Sequence, residues 1–361
     1  MINRLVDLAI QIQQIPAPTF EEASRADFIR RMFIAEALTD IQTDSAGNVL
    51  ARLPGAGLVS PLIVSAHMDT VFPAETDLAI RREAGRVYGP GIGDNSLGVA
   101  GLFGLVWSLR ERGIQPGGDV WLVANTCEEG LGDLRGMKAL VERFAGQPKA
   151  YLVIEGMALG HVYHKAIGVM RYKITVHVTG GHSWIDYGAP SAIHELSALA
   201  TKIAAIQPPA SPRTTLNIGR IGGGTSINTI AAEAWMELDL RSEEQSALVD
   251  LIRQVEELVD AAEQHGVMVE AKIIGQRPPG EISPDHPLLC LAQACLLEQR
   301  IEPVLTVGST DANIPLSKGY PALVLGLTRG GGAHTLHEFF ETAPLAQGLE
   351  QIVQFVSRVW E

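Results

Sequence analysis

The sequence predicts an α/β protein: a doubly wound, mainly parallel sheet covered by helices on both faces, with a ferredoxin-like α+β domain inserted into it. Three observations predict it. Through about residue 166, short apolar runs rich in β-branched residues alternate with helical patterns. From about 168 to 275 the order becomes strand, helix, strand, strand, helix, strand. Beyond 276 the first pattern returns.

The N-terminal stretch MINRLVDLAIQIQQIPAPTFEEASRADFIRRMF has helical apolar spacing and acidic residues, where a signal peptide would have an uninterrupted apolar core. PLIVSAH, DVWLVANT and AYLVIEG then read as buried strands, with GVAGLFGLVWSLRERG and MKALVERF as the helices between them. MRYKITVHV opens the inserted domain, followed by helix PSAIHELSALATKIAAI, strands TTLNIGRI and AEAWMELDLR, helix ALVDLIRQVEELVDAAEQ and strand VMVEAKII. QRPPGEISPDHP is a Pro-rich return linker, after which LLCLAQACLLEQ, YPALVLGL and PLAQGLEQIVQFVSRVW complete the first domain. The expected domains are therefore residues 1–167 with 276–361, and residues 168–275, a division that suits 361 residues.

Composition narrows the function classes. Apolar residues at 46% and charged ones at 19% leave ample material for a core and argue against disorder. A net charge of −13 without a basic patch disfavours nucleic acid as a partner. Cys127, Cys290 and Cys295 are an odd set in a long chain and read as reduced thiols. No apolar run approaches the roughly 20 residues that span a bilayer, so no membrane partner and a cytoplasmic location are expected.

Three strand runs end in potential metal ligands, and in open α/β sheets sites assemble at the carboxyl ends of strands. PLIVSA delivers His67 and Asp69, WLVANTC delivers Glu128 and Glu129, and YLVI delivers Glu155; Asp94 lies in GPGIGDNSLG and His334 in GGGAHTLHEFF. Imidazole plus carboxylate suits zinc or its first-row neighbours, and a carboxylate can bridge two ions. Asp94 is the bridging candidate, because a Gly-lined loop lets its carboxylate approach two cations. Asp69, two residues after His67, is placed to accept the imidazole N–H and fix its tautomer. Consecutive buried carboxylates at Glu128 and Glu129 would repel without a compensating cation or proton, so one reads as a ligand and the other as a general base.

Other motifs leave alternatives open. GPGIGDNSLG lacks the G-x-G-x-x-G spacing and presents an Asp where a phosphate would sit. GRIGGGTSIN, with Asn228, suits either a hairpin turn or a binding loop, and His182 either a surface or a functional role. Ser96, Ser183 and Cys127 lack the strand–elbow–helix context of a nucleophile.

The ordered set HMDT (67–70), GIGDN (91–95), CEEG (127–130), IEG (154–156), GGHS (180–183), INTI (227–230), DLR (239–241), STDAN (309–313) and HTLHEF (334–339) resembles the co-catalytic zinc metallopeptidases. These include peptidase T, carboxypeptidase G, acetylornithine deacetylase, succinyl-diaminopimelate desuccinylase and aminoacylase. The resemblance implies two Zn²⁺ per subunit, with Co²⁺ or Mn²⁺ as substitutes. It implies that His67 and Glu155 hold one ion, Glu129 and His334 the other, and Asp94 both. His334 rather than His337 is implied because the family's ligand stands four residues before a glutamate, here Glu338. Glu128 would be the base, with Asp69 its catalytic neighbour, and the Asp94–Asn95 peptide would be cis. The inserted domain would be a lid and homodimer surface, with His182 stabilising an oxyanion, Asn228 assisting and Arg241 holding a substrate carboxylate. Trp184 departs from the small residues usual after that histidine. STDAN and HTLHEF look most like peptidase T, implying an aminopeptidase for short peptides; a carboxypeptidase or N-acyl amino acid deacylase is the alternative. A catalytically silent binding module would have lost a ligand or the base, and all six positions are intact.

Overall fold

The computed structural model describes residues 1–361, which divide into two compact units: Met1–Ala166 with Gly280–Glu361, and Ile167–Pro279.

The first unit is built on one mixed sheet. In spatial order its strands are Thr39–Thr43, Val49–Leu53, Val120–Asn125, Leu62–His67, Ala150–Glu155, Ala322–Gly326, His161–Ala166 and Gly280–Glu281, with Val304–Gly308 also paired to His161–Ala166. The four central strands, 120–125, 62–67, 150–155 and 322–326, run parallel. Antiparallel pairing begins on either side of them, at Val49–Leu53 and His161–Ala166. Leu62–His67 is buried at every position, as a strand covered on both faces must be, which is why it opens on the unbroken apolar run Leu62–Val64 rather than on an alternation with polar residues.

The main crossover helix, Gly98–Glu111, is buried along nearly its whole length. With the residues before it, it forms a stretch, Ile92–Glu111, long and apolar enough to cross a membrane by length and composition alone. The expectation that no such run exists is corrected here. The stretch is 94% buried inside the fold, and its first turns contain the non-helical residues Asp94 and Asn95.

A small second sheet, ordered Gly330–Gly331, Phe339–Glu341, Arg86–Tyr88, Arg81–Glu83, joins the 330–341 loop to the segment just before Asp94. Thus residues far apart in sequence reach one end of the parallel sheet.

The second unit has the ferredoxin-like order: strand Gly168–His177, helix Ala192–Ala204, strands Thr214–Gly223 and Glu233–Ser242, helix Gln245–Asp260 and strand Met268–Arg277. Its antiparallel sheet runs 214–223, 233–242, 168–177, 268–277. Strand Glu233–Ser242 alternates buried and half-buried residues, the signature of a sheet with helices on one face only. GRIGGGTSIN is not a tight hairpin turn. After Gly223 the chain makes an excursion in which 229–230 pairs with 181–182, placing Asn228 beside Ser183, whose N–H donates to the Asn228 carbonyl at 3.1 Å.

Phe103, fully buried, stacks on Phe33 with ring centroids 4.9 Å apart. Phe103→Ala is expected to lower stability by about 3–5 kcal/mol, seen as a lower urea midpoint for the first unit; an unchanged midpoint would contradict this packing.

Candidate metal centre

The site forms where the parallel strands end. His67 closes Leu62–His67, Glu155 closes Ala150–Glu155, and Glu128 and Glu129 follow Val120–Asn125 by a few residues. Three sets of ligand atoms lie within 4.8 Å of one another: His67 with Asp94 and Glu155; Asp94 with Glu129 and His334; and His67 with Glu128 and Glu129. Asp94 belongs to the first two and divides its oxygens between them. Oδ1 is 3.2 Å from His67 Nε2, and Oδ2 is 3.3 Å from His334 Nε2. His67 Nε2 also lies 3.9 Å from Glu155 Oε2, and His334 Nε2 3.1 Å from Glu129 Oε1. His337 joins none of these sets.

Charge shows what the site selects for. Burial alone would lower the His67 pKa, but hydrogen bonding to Asp69 and Asp94, with the charges of Glu155 and Glu128, holds it well above its ordinary value. His334, bonded to Asp94 and Glu129, is pushed up to about 10. Burial would raise Asp94, yet His334 and His67 pull it well below the usual carboxylate range. Burial raises Glu155 well above normal; His67 opposes this, while Asp94, Glu128 and Asp311 reinforce it. Four carboxylates thus face two imidazoles, an excess of negative charge that calls for cations. The spacings agree: tetrahedral zinc with bonds of about 2.0–2.1 Å has ligand–ligand edges of about 3.3 Å. The donor set fits two first-row divalent ions sharing Asp94.

The backbone is fixed by buried side chains. Gly91 takes a left-handed φ of 69°, and the Asp94–Asn95 peptide is cis. Asn95 ties this loop to the strand end bearing Glu155: its Nδ2 donates to Ile154 O at 2.9 Å and its Oδ1 accepts from Gly156 N–H at 3.0 Å. A Cβ on Gly156 would lie 2.0 Å from Gly93 O, so the close approach requires glycine. On the other side Glu338, fully buried, accepts from the N–H groups of Gly91 (3.1 Å), Gly93 (2.7 Å) and Asp94 (2.8 Å). Sequence reasoning used Glu338 only as a landmark; its backbone role becomes visible once the small sheet is formed.

Asp69 meets His67 with both its backbone carbonyl and its carboxylate. His67 Nδ1 is nearer the Asp69 backbone carbonyl (3.1 Å) than its carboxylate (3.5 Å). The carboxylate also accepts from the N–H groups of Glu128 and Glu129, both at 2.9 Å. Burial pushes the Cys127 thiol up to about 12, with Glu22 and Asp69 adding to the effect, so it is no thiolate nucleophile. No disulfide forms.

His182, Asn228 and Arg241 lie in the second unit. His182 is exposed, and its Nδ1 accepts from the N–H groups of Trp184 (3.2 Å) and Ile185 (3.4 Å), leaving the proton on Nε2. Asn228 Oδ1 accepts from Ser226 Oγ at 2.9 Å. The Arg241 guanidinium is paired with Asp239 at 2.6 Å, a partner it shares with Arg171.

Residues 63–358 match the profile of peptidase family M20/M25/M40. The chain belongs to that family. It is 29% identical over 280 residues to a succinyl-diaminopimelate desuccinylase from Corynebacterium glutamicum, covering 74% of this chain and 72% of that protein. Its fold is that of aminopeptidase PepT from Bacillus cereus (TM-score 0.80, 22% identity, 100% and 99% of the two chains). A tripeptidase from Staphylococcus aureus shares it too (TM-score 0.84, 22% identity, 99% and 98%). This M20-family chain is a hydrolase acting on amide bonds.

Because Glu338 holds the loop bearing Asp94, Glu338→Ala is expected to weaken Co²⁺ binding roughly 10–100-fold in equilibrium dialysis. Wild-type affinity in a folded Glu338→Ala protein would refute this.

Proposed function

We propose that this M20-family enzyme is a peptidase T-like aminopeptidase that hydrolyses very short peptides, tripeptides in particular, at a two-zinc centre. The observation that carries the two-metal reading is the division of the Asp94 oxygens between the His67 and His334 sets, with Glu128 gathered beside His67 and Glu129; the substrate class rests on the resemblance of STDAN and HTLHEF to peptidase T. His67 and Glu155 would hold one ion, Glu129 and His334 the other, and Asp94 both; Co²⁺ or Mn²⁺ would serve as substitutes. When bound, such a pair supplies Lewis acidity that polarises an amide carbonyl and lowers the pKa of water.

The side chains supply the proton chemistry. Glu128 takes a proton from the attacking water and delivers it to the departing amine. Asp69, through two backbone N–H groups, keeps Glu128 and Glu129 in place. His182, whose proton sits on Nε2, donates to the developing oxyanion, and Asn228 assists. Arg241 binds a substrate carboxylate, trading part of its pairing with Asp239. Support for these last roles is the resemblance of GGHS, INTI and DLR to the family's motifs. The second unit is assigned a lid and homodimer role. Its outer strands Thr214–Gly223 and Met268–Arg277 each leave one edge unpaired, with Ile221 and Met268 exposed. Sedimentation is expected to give two chains per particle, and a monomer at all concentrations would remove that assignment. With three free thiols, the protein is assigned to the cytoplasm.

One relative favours a second reading. The Corynebacterium protein is named as a desuccinylase, which makes an N-acyl amino acid the alternative substrate.

The test is hydrolysis of tripeptides, C-terminal glutamate amides and N-acyl amino acids by metal-loaded wild type and Glu128→Ala. Tripeptides are expected to be cut from the amino end, with kcat about 10²–10⁴-fold lower in the variant. Cleavage of acyl amino acids alone would replace the substrate assignment, and an active Glu128→Ala would remove the base assignment.

A further inference from the structure

The turn that presents Glu128 and Glu129 is held by a segment outside the matched region. Cys127 has φ +57°, a left-handed conformation unfavourable for a residue with a side chain. In it, three successive N–H groups are each taken by a buried carboxylate. Cys127 N–H donates to Glu22 Oε1 at 3.0 Å, Glu128 N–H to Asp69 Oδ1 and Glu129 N–H to Asp69 Oδ2, both at 2.9 Å. Glu22 is 5% exposed and Asp69 not at all. Without these acceptors the three donors would be left unsatisfied in a buried turn, and the backbone would relax to satisfy them elsewhere.

The same segment holds the other side of the site. Thr70 N–H donates to Ala17 O at 2.9 Å, and the Thr19 hydroxyl donates to Asp69 Oδ2 at 2.9 Å. Arg25, 2% exposed, donates through Nη1 to Met68 O at 2.6 Å and through Nε and Nη2 to Ile15 O at 3.0 and 2.6 Å. Its positive charge faces both Asp69 and Glu22. Gly132 closes the arrangement: a Cβ there would lie 2.6 Å from Cys127 O and 2.7 Å from the Thr19 methyl.

We propose that Glu22 is a positioning residue for Glu128 and Glu129: by pinning the Cys127 N–H it fixes the left-handed turn from which both are presented, and Thr19 and Arg25 complete the clamp. The proposal rests on the reading of Glu128 as base and Glu129 as ligand given above.

The experiment compares full-length wild type, Glu22→Ala, Glu22→Gln and Thr19→Val by Co²⁺ titration, by amide hydrogen exchange at residues 127–129, and by steady-state kinetics with tripeptide. Glu22→Ala is expected to weaken Co²⁺ binding about ten-fold, to speed exchange at those amides, and to lower kcat with KM little changed. Glu22→Gln keeps an oxygen acceptor and is expected to recover most of the affinity. Thr19→Val should shift affinity and exchange in the same direction by less. Wild-type Co²⁺ affinity and exchange in folded Glu22→Ala would overturn the proposal, because a purely structural role would lower the melting temperature alone. Should Glu22→Ala not fold, unchanged affinity and exchange in Thr19→Val would overturn it. If wild type takes up no Co²⁺, the metal-site reading fails instead, and exchange at 127–129 decides the clamp by itself.

Discussion

The structure depends on a concentration of buried negative charge at one end of the parallel sheet. Asp94, Glu128, Glu129 and Glu155 meet there, with Asp69, Glu22 and Glu338 just behind. Like charges in a poorly solvated site repel unless each finds a compensating group. Apart from Glu128, the proposed base, these carboxylates divide into two kinds by their main partners. Glu22, Asp69 and Glu338 accept backbone N–H groups and so shape the main chain. Asp94, Glu129 and Glu155 face imidazoles and are left for cations. The first kind sets where the second can stand.

Topology explains why these groups meet. Parallel strands all deliver their carboxyl ends to one side of the sheet, so three strand exits suffice to bring His67, Glu129 and Glu155 together. The remaining two proposed ligands need another device. Asp94 comes from the entrance to the long buried helix, and His334 from a loop stitched to Arg86–Tyr88 through Phe339–Glu341. Glu338 sits on that stitch, so the strand pairing that brings His334 in also brings the acceptor that fixes the Asp94 loop.

The fold was largely legible, because buried parallel strands, amphipathic helices and the ferredoxin-like order each leave a periodic signal in the chain. The polar residues that end the strand runs stood out for the same reason. What was illegible depends on approaches made only after folding. Arg25 looks like any helix-surface arginine in SRADFIRRMF, yet it is buried and bonded to carbonyls. Glu22 looks like one of two solvated glutamates in FEEAS, and no pattern marks its contact with Cys127, 105 residues away. Asp69 was placed near His67 by the two-residue strand repeat, but that repeat cannot tell a carboxylate from its own carbonyl as the nearer acceptor. Ile92–Glu111 has the composition of a spanning segment, and only the helix's burial against the sheet reveals a core element.

Metal-binding groups and turn-holding groups are constrained differently. The matched region, 63–358, contains every proposed ligand and the proposed base but not Thr19, Glu22 or Arg25. A metal ligand is constrained in kind, since few side chains offer a donor of suitable hardness and charge. A backbone N–H is less demanding: any buried acceptor at hydrogen-bond distance satisfies it, from any part of the chain. Groups that hold the turns can therefore come from a segment far away in the chain, as Glu22 does for Cys127. That segment remains physically part of the site because the left-handed Cys127 and the paired N–H groups after it have to be satisfied where they stand.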